Sequence, residues 1–286
     1  MANLKEIRNR ISSVSSTMQI TSAMKMVSAA KLKKAQDAIT AMRPYANKLT
    51  ELLQSLSATL DGDSGSKFAT QREVNKVLIV AITSNRGLCG AFNSNIIKEV
   101  GRLTNDQYAN QEVSYLAIGK KANDALSKSG NVIANKSEVF DDLTFENIAA
   151  IAEMIMDKFV EGEFDKIELV YNKFKNAATQ IVMTEQFLPI VPMEEETSNN
   201  LDYIFEPSKE EIVETLIPKS LKTQLYKAVR DSFASEHGAR MTAMHKATDN
   251  ATELRDQLKL TYNKARQAAI TNEILEIVGG AEALNS

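Results

Sequence analysis

The chain has 286 residues, 43% of them hydrophobic and 25% charged, with net charge −3, one Cys, two His and no Trp. One Cys excludes an intramolecular disulfide framework and a cysteine-rich zinc site, and two His leave too little for a metal cluster or a histidine-based triad. No apolar run reaches the ~18–20 residues of a membrane helix, and MANLKEIRNRISS at the N-terminus lacks the apolar segment of a secretory signal.

The helix breakers are unevenly placed. The first 61 residues hold no Gly and one Pro, Pro44; from Glu163 to Val278 the only Gly is Gly238; eight of the 11 Gly lie between Gly62 and Gly162. Charge is uneven as well. Residues 1–60 carry nine Lys/Arg against three Asp/Glu, residues 61–207 fourteen against twenty-three, and residues 208–286 eleven of each. A basic end and an acidic middle hide inside a small total.

The first segment follows a heptad. From Leu4 the seam reads Leu4, Ile7, Ile11, Val14, Met18, Thr21, Lys25, Ser28, Leu32, Ala35, Ile39, Met42, Ala46, Leu49, Leu53, Leu56, Leu60, with fourteen of seventeen positions apolar. The failures are consecutive, at Thr21, Lys25 and Ser28, where the apolar residues move to Ile20, Ala23, Met24, Met26 and Val27. The stripe is expected to rotate off its axis there for about two turns. A helix of about 57 residues is roughly 85 Å long, against a diameter near 50 Å for a compact chain of this size. It is expected to project and to need a partner strand, with a kink at Pro44.

After a polar stretch, Asp61 to Gln71, the periodicity changes. Val77–Ile82 reads as a strand buried on both faces, followed by the loop Ser84-Asn85-Arg86-Gly87-Leu88-Cys89-Gly90 and a helix over Phe92–Leu103. Glu112–Ile118 reads as a strand, Lys120–Ser129 as a helix, and Val132–Phe140 as a third extended run. Thr144 and Glu146 open a helix through Glu161, and Lys166–Phe174 and Thr179–Leu188 read as two more strands. This alternation implies a small, mostly parallel α/β sheet. The loop after the first strand is where a doubly wound fold binds a nucleotide, but neither GxGxxG nor GxxxxGK[ST] occurs. Arg86 is suited to an anion or to pairing with the acidic middle. Cys89 reads as a packed core thiol, and Glu194-Glu195-Glu196 as a solvated run.

From about Pro218 to Val278 the pattern is helical again, with a seam at Met241, Met244, Ala247, Ala251, Leu254, Leu258, Thr261, Ala265, Ala268 and Leu275. Its partner is the N-terminal helix, in an antiparallel coiled coil; a parallel coil between two copies is the alternative. His237 and His245 are eight apart, not the i, i+4 spacing of a shared metal face, and are expected on the surface or facing a partner. Gly238 has no evident sequence reason. Beyond Ala268, Ile270, Ile274, Leu275, Ile277 and Val278 cover more than one face, so this end is expected inside a protein sleeve.

Three blocks carry a family resemblance: Ile7-Arg8-Asn9-Arg10-Ile11 with Ile20-Thr21-Ser22-Ala23-Met24-Lys25-Met26-Val27-Ser28-Ala29 and Arg43-Pro44-Tyr45; Arg86-Gly87-Leu88-Cys89-Gly90; and Ser235-Glu236-His237-Gly238-Ala239-Arg240-Met241-Thr242-Ala243-Met244 with Tyr262-Asn263-Lys264-Ala265-Arg266-Gln267 and Ile270-Thr271-Asn272-Glu273. The sequence resembles the gamma-subunit family of F-type ATP synthases, of the bacterial type, over essentially its whole length. The departures are Gly238 for the usual Ala, Asn85 for the commoner Asp, and Ala91-Phe92 for Gly-Leu. A single Cys leaves no thiol switch of the chloroplast kind.

The resemblance implies an α/β protein plus a long antiparallel coiled coil: a coiled-coil helix over 1–60, a Rossmann-like α/β foot over 73–207 and a second coiled-coil helix over 208–286. It implies a central-stalk rotor transmitting torque between the membrane c-ring and the catalytic beta subunits, coupling ion transport to ATP synthesis or hydrolysis, with no cofactor and no active site of its own. The partners implied are three alpha and three beta subunits, epsilon and the c-ring, with no nucleic acid. The place implied is peripheral, on the cytoplasmic face of the bacterial inner membrane, held only through the complex. Met24, Lys25, Met26, Arg266, Gln267, Thr271, Glu273, Ile274 and Val278 match positions that face beta or the bearing. Asp202, Tyr203, Phe205 and Glu206 match the foot near the c-ring.

Overall fold

The computed structural model describes residues 4–58, 67–190 and 209–285. The DGDSGS stretch, Glu194-Glu195-Glu196, and Asp202, Tyr203, Phe205 and Glu206 lie outside the described residues. The elements are α1 (Leu4–Ala58), β1 (Lys76–Ile82), α2 (Phe92–Arg102), β2 (Glu112–Ile118), α3 (Lys120–Leu126), β3 (Asn131–Asn135), α4 (Phe145–Val160), β4 (Lys166–Phe174), β5 (Gln180–Leu188) and α5 (Lys209–Asn285). A π turn, Leu103–Gln107, follows α2, and a 3-10 turn, Ser137–Phe140, follows β3. Long N- and C-terminal helices thus bracket a central sheet. Pro44 lies inside α1 and Pro218 inside α5, which begins upstream of the expected start. The chain divides into two units, Met1–Ser28 with Met241–Ser286, and Ala29–Arg240.

In the first unit the two helices run antiparallel. Arg8 donates to the Tyr262 hydroxyl (2.8 Å), the Met18 sulfur accepts from Thr252 (3.4 Å), and the Thr21 and Thr248 hydroxyls meet at 2.8 Å. As the α1 number rises, the α5 number falls one for one. The α1 seam keeps its heptad through the polar stretch: Thr21 and Ser28 are buried and Lys25 half-buried, while Ile20, Met26 and Val27 are exposed. The expected rotation of the stripe is therefore corrected. The two hydroxyls that meet also have local acceptors, Met18 O for Thr21 and Met244 O for Thr248, so the seam tolerates these polar residues without turning.

The α5 seam shifts one residue on from the expected Leu254 and Thr261, and the expected Ala268 and Leu275 are exposed. Met244, Thr248, Ala251, Arg255, Leu258, Tyr262 and Ala265 are buried or half-buried, whereas Leu254 and Thr261 are exposed. Arg255 lays its stem across the seam and reaches the Met18 sulfur (3.5 Å). Long amphipathic side chains cover apolar surface while keeping their polar ends wet.

In the second unit the strand order is β3-β2-β1-β4-β5. β1 pairs parallel with β2 and β4, β2 parallel with β3, and β4 antiparallel with β5. Alternation along β1 splits the core in two. Leu78, Val80 and Ile82 face Ile148, Ala152, Ile155 and Phe159 of α4 and Leu221, Leu225 and Val229 of α5. Val77, Ile79 and Ala81 face Ile96 and Val100 of α2 and Ala122 and Leu126 of α3. A strand sandwiched this way must be apolar at every position, as KVLIVAI is after its first residue.

The expected extended run over 132–140 is broken after Asn135. The Asn135 side chain accepts from the Ser137 amide (3.2 Å) and hydroxyl, turning the chain into the 3-10 segment. Thr144 caps α4 by accepting from the Asn147 amide (3.4 Å). Gly119, at φ 117°, opens α3 where an added Cβ would stand 2.2 Å from the Thr83 carbonyl oxygen, so only Gly fits.

Candidate functional site

An open α/β sheet places ligands at the carboxyl ends of its strands, where the connections diverge to either side. Here that point lies at β1 and β4, and the chain's own residues fill it. From α5, Ser235 donates to the Asn172 carbonyl of β4 (2.9 Å), and Arg240 donates to the Arg86 and Gly87 carbonyls of the β1–α2 loop (3.1 and 3.2 Å). Arg43 of α1 pairs with Asp231 (2.8 Å) and donates to the Phe174 carbonyl (2.9 Å). Gly238 lets α5 lie against the β4–β5 turn, with an added Cβ only 3.2 Å from the Ala177 Cα and carbonyl oxygen.

The loop is tied from within as well. Ser84 donates to the Arg86 carbonyl (2.6 Å), and the Asn93 amide reaches Ser84 (2.9 Å) and the Cys89 sulfur (3.2 Å). The Asn85 amide donates to the Ser137 carbonyl and its oxygen accepts from the Lys120 backbone, both at 2.9 Å. An Asp there has no donor for Ser137. Leu88 sits at φ 63°, 65% exposed, at the loop tip. Arg86 is exposed. Cys89 is buried, and burial pushes its thiol pKa up.

Buried titratable groups are concentrated on this stretch of α5. Asp231 is fully buried and one of its oxygens has no partner; burial raises its carboxyl pKa, opposed by Arg43. Glu236 pairs with Arg240 at 2.6 Å, and burial raises its pKa against the pull of that guanidinium. His237 is 5% exposed, which corrects the expectation of a surface position. Its ring packs edge-on to Phe233 at 4.5 Å, and neither nitrogen has a partner. Burial, with Arg240 and Lys31 nearby, holds its pKa down at about 4. The other histidine, His245, is exposed and pairs with Asp249 (3.1 Å).

The expected contact residues all belong to the two-helix unit. Met26 is 65% exposed, while Met24 and Lys25 are half-buried. Arg266, Gln267, Thr271, Glu273, Ile274 and Val278 are exposed. The antiparallel pairing sets Leu4 opposite about residue 266, so the rest of α5 faces no α1 residue among those described. Ile270, Ile274, Leu275, Ile277 and Val278 are all exposed on that stretch. No helix among the described residues is long and apolar enough to cross a membrane. The sequence reading missed Arg43, Asp231 and the clamp by Arg240. The only signal was the i, i+4 pair Glu236 and Arg240 in a helix otherwise packed on the core.

A family model described as ATP synthase matches residues 3–284. The ATP synthase gamma chain of Flavobacterium psychrophilum is 78% identical over 285 residues, covering 99% of both chains. That of Flavobacterium johnsoniae is 77% identical over 286 residues, covering 100% of both. Among solved structures, a chain of the central stalk and c-ring of the Tetrahymena thermophila mitochondrial ATP synthase matches with TM-score 0.59 and 27% identity, over 80% of this chain and 99% of that one. A chain of the Euglena gracilis mitochondrial ATP synthase shares the fold, with TM-score 0.70 and 22% identity, over 98% of this chain and 94% of that one. With the long paired helices and the central sheet, these matches establish that the chain belongs to the ATP synthase family, alongside the gamma chains.

Proposed function

We propose that the chain is the central-stalk rotor subunit of an ATP synthase, transmitting torque between a membrane c-ring and catalytic beta subunits. The observation that carries this reading is the unpartnered end of α5. Five large aliphatic residues, Ile270, Ile274, Leu275, Ile277 and Val278, are exposed around more than one face of a continuous helix. Such a surface needs enclosure by another protein, and a ring of alpha and beta subunits supplies an apolar sleeve. Met24, Lys25, Met26, Arg266, Gln267, Thr271 and Glu273 then face beta. The basic N-terminal segment suits acidic partner loops. The filled crevice at β1 and β4 supports a subunit that leaves nucleotide chemistry to its partners.

In this reading epsilon and the c-ring bind the part of the chain around 73–207, including Asp202, Tyr203, Phe205 and Glu206, and the protein is peripheral at the cytoplasmic face of a bacterial inner membrane. Co-purification tests it. The chain is expected to emerge with three copies each of alpha and beta. A self-contained homodimer indifferent to both sinks the reading, and so does tight ATP or NAD binding by the isolated chain in calorimetry.

A further inference from the structure

We infer that Arg240 is a torque-positioning residue, the clamp that locks α5 to the sheet so that rotation of one is passed to the other. The inference deepens the rotor reading and rests on it. A torque between a sheet and a helix lying on it is resisted by contacts with direction. Packed apolar side chains resist sliding through shape alone, whereas hydrogen bonds to main-chain atoms also hold a fixed angle and length.

Between 217 and 229, α5 meets the sheet mainly through the apolar Ile217, Leu221, Leu225, Ala228 and Val229, with one long bond from the Gln224 amide to the Gln186 carbonyl of β5 (3.4 Å). Between 231 and 240 its contacts become directional. Ser235 holds one β4 carbonyl, and Arg240 holds two successive carbonyls, Arg86 and Gly87. Arg240 spends its other terminal nitrogen on Glu236, one turn back on the same helix (2.6 Å), so the guanidinium plane cannot swing. It is 7% exposed, which protects these bonds from water. The loop it grips is stiff in its own right, pinned through Ser84, Asn85 and Asn93. A rigid fork on a rigid loop is what a joint requires, and lysine cannot reproduce it.

The test uses the assembled complex. A bead is attached to the sheet at an engineered Ile181→Cys on β5, a 41% exposed position, while the native Cys89 is buried. Angular fluctuation of the stalled bead gives the torsional stiffness. In Arg240→Gln the stiffness is expected to fall about two-fold or more, with unloaded ATP hydrolysis kept within about two-fold of the parent; Arg240→Lys, which retains the charge and the Glu236 pair, is expected to lie between the two. Should Arg240→Gln fail to assemble, Arg240→Lys decides alone. A turning bead of parental stiffness in Arg240→Lys, or in both variants, overturns the clamp. A parental complex whose bead never turns strikes at the rotor reading itself, and the clamp falls with it.

Discussion

Gly238 of α5 lies in direct contact with Ala177 of the β4–β5 turn, where a Cβ would stand 3.2 Å from two backbone atoms. Backbone cannot rotate away as a flexible side chain does, so an added methyl forces helix and turn apart by a few tenths of an ångström. Replacing Gly by Ala inside a helix is otherwise worth about 1 kcal/mol. Gly238→Ala is therefore expected to gain clearly less than that, and Gly238→Val to lose about 1–3 kcal/mol through overpacking. Urea titration of the full chain measures both, and a full helix-propensity gain in Gly238→Ala refutes the close approach.

Arg43 and Asp231 form the second test. Removing Arg43 leaves a carboxylate that is fully buried and already has one unpartnered oxygen. An uncompensated buried charge costs about 3 kcal/mol or more, while replacing both partners by apolar residues is often near neutral. Arg43→Met should thus be much less stable than Arg43→Met with Asp231→Leu. A double variant no better than the single one means that the pair itself, not the orphaned charge, dominates.

The pH dependence has a sign fixed by His237. Its folded pKa, about 4, lies below the ordinary 6.5. Its contribution to stability is therefore present above pH 6.5 and lost as pH falls toward 4, at up to about 1.4 kcal/mol per pH unit. Asp231 and Glu236, with raised folded pKa values, work the other way, their contribution being lost as pH rises. The difference between parent and His237→Phe isolates the histidine. The parent should lose stability relative to the variant between pH 6.5 and 4, and parallel curves refute a neutral buried ring.

Asn85 shows what a sequence can and cannot disclose. The departure from the commoner Asp is visible at once, but its reason is a donor bond to the Ser137 carbonyl, 52 residues away. Asn85→Asp should cost about 1 kcal/mol, since the site is only partly buried. Strands β2 and β4 were legible to the residue, and β1 to within one, since a strand enclosed on both faces, as β1 is, reads as a continuous apolar run. The α1 seam was legible except from Thr21 to Ser28, where the heptad continues through polar residues and following the apolar ones misplaced the stripe. His237, Arg255 and Arg240 were not legible. The two arginines meet neighbours distant in sequence, Arg86 and Gly87 for Arg240 and Met18 for Arg255, while His237 is a polar ring buried against Phe233 with neither nitrogen partnered. The Asn135 turn was hidden because one side-chain bond, not the local apolar pattern, ends the strand.

Met24 and Met26 separate stability from coupling. Met26 points away from the seam and is 65% exposed, so Met26→Lys should change the stability of the isolated chain by no more than about 0.5 kcal/mol. Met24 is half-buried beside a seam already polar at Thr21 and Lys25. A lysine there can extend its stem along the helix and keep its ammonium in water, so Met24→Lys should be mildly destabilising without unfolding the pair. In the assembled complex both changes place a cation where an apolar contact with beta is proposed. ATP hydrolysis should persist while ATP-driven ion transport in reconstituted vesicles falls severalfold. The ratio of transport to hydrolysis is the deciding measurement, because loss of assembly lowers both together. Parental transport in both variants removes Met24 and Met26 from the contact surface.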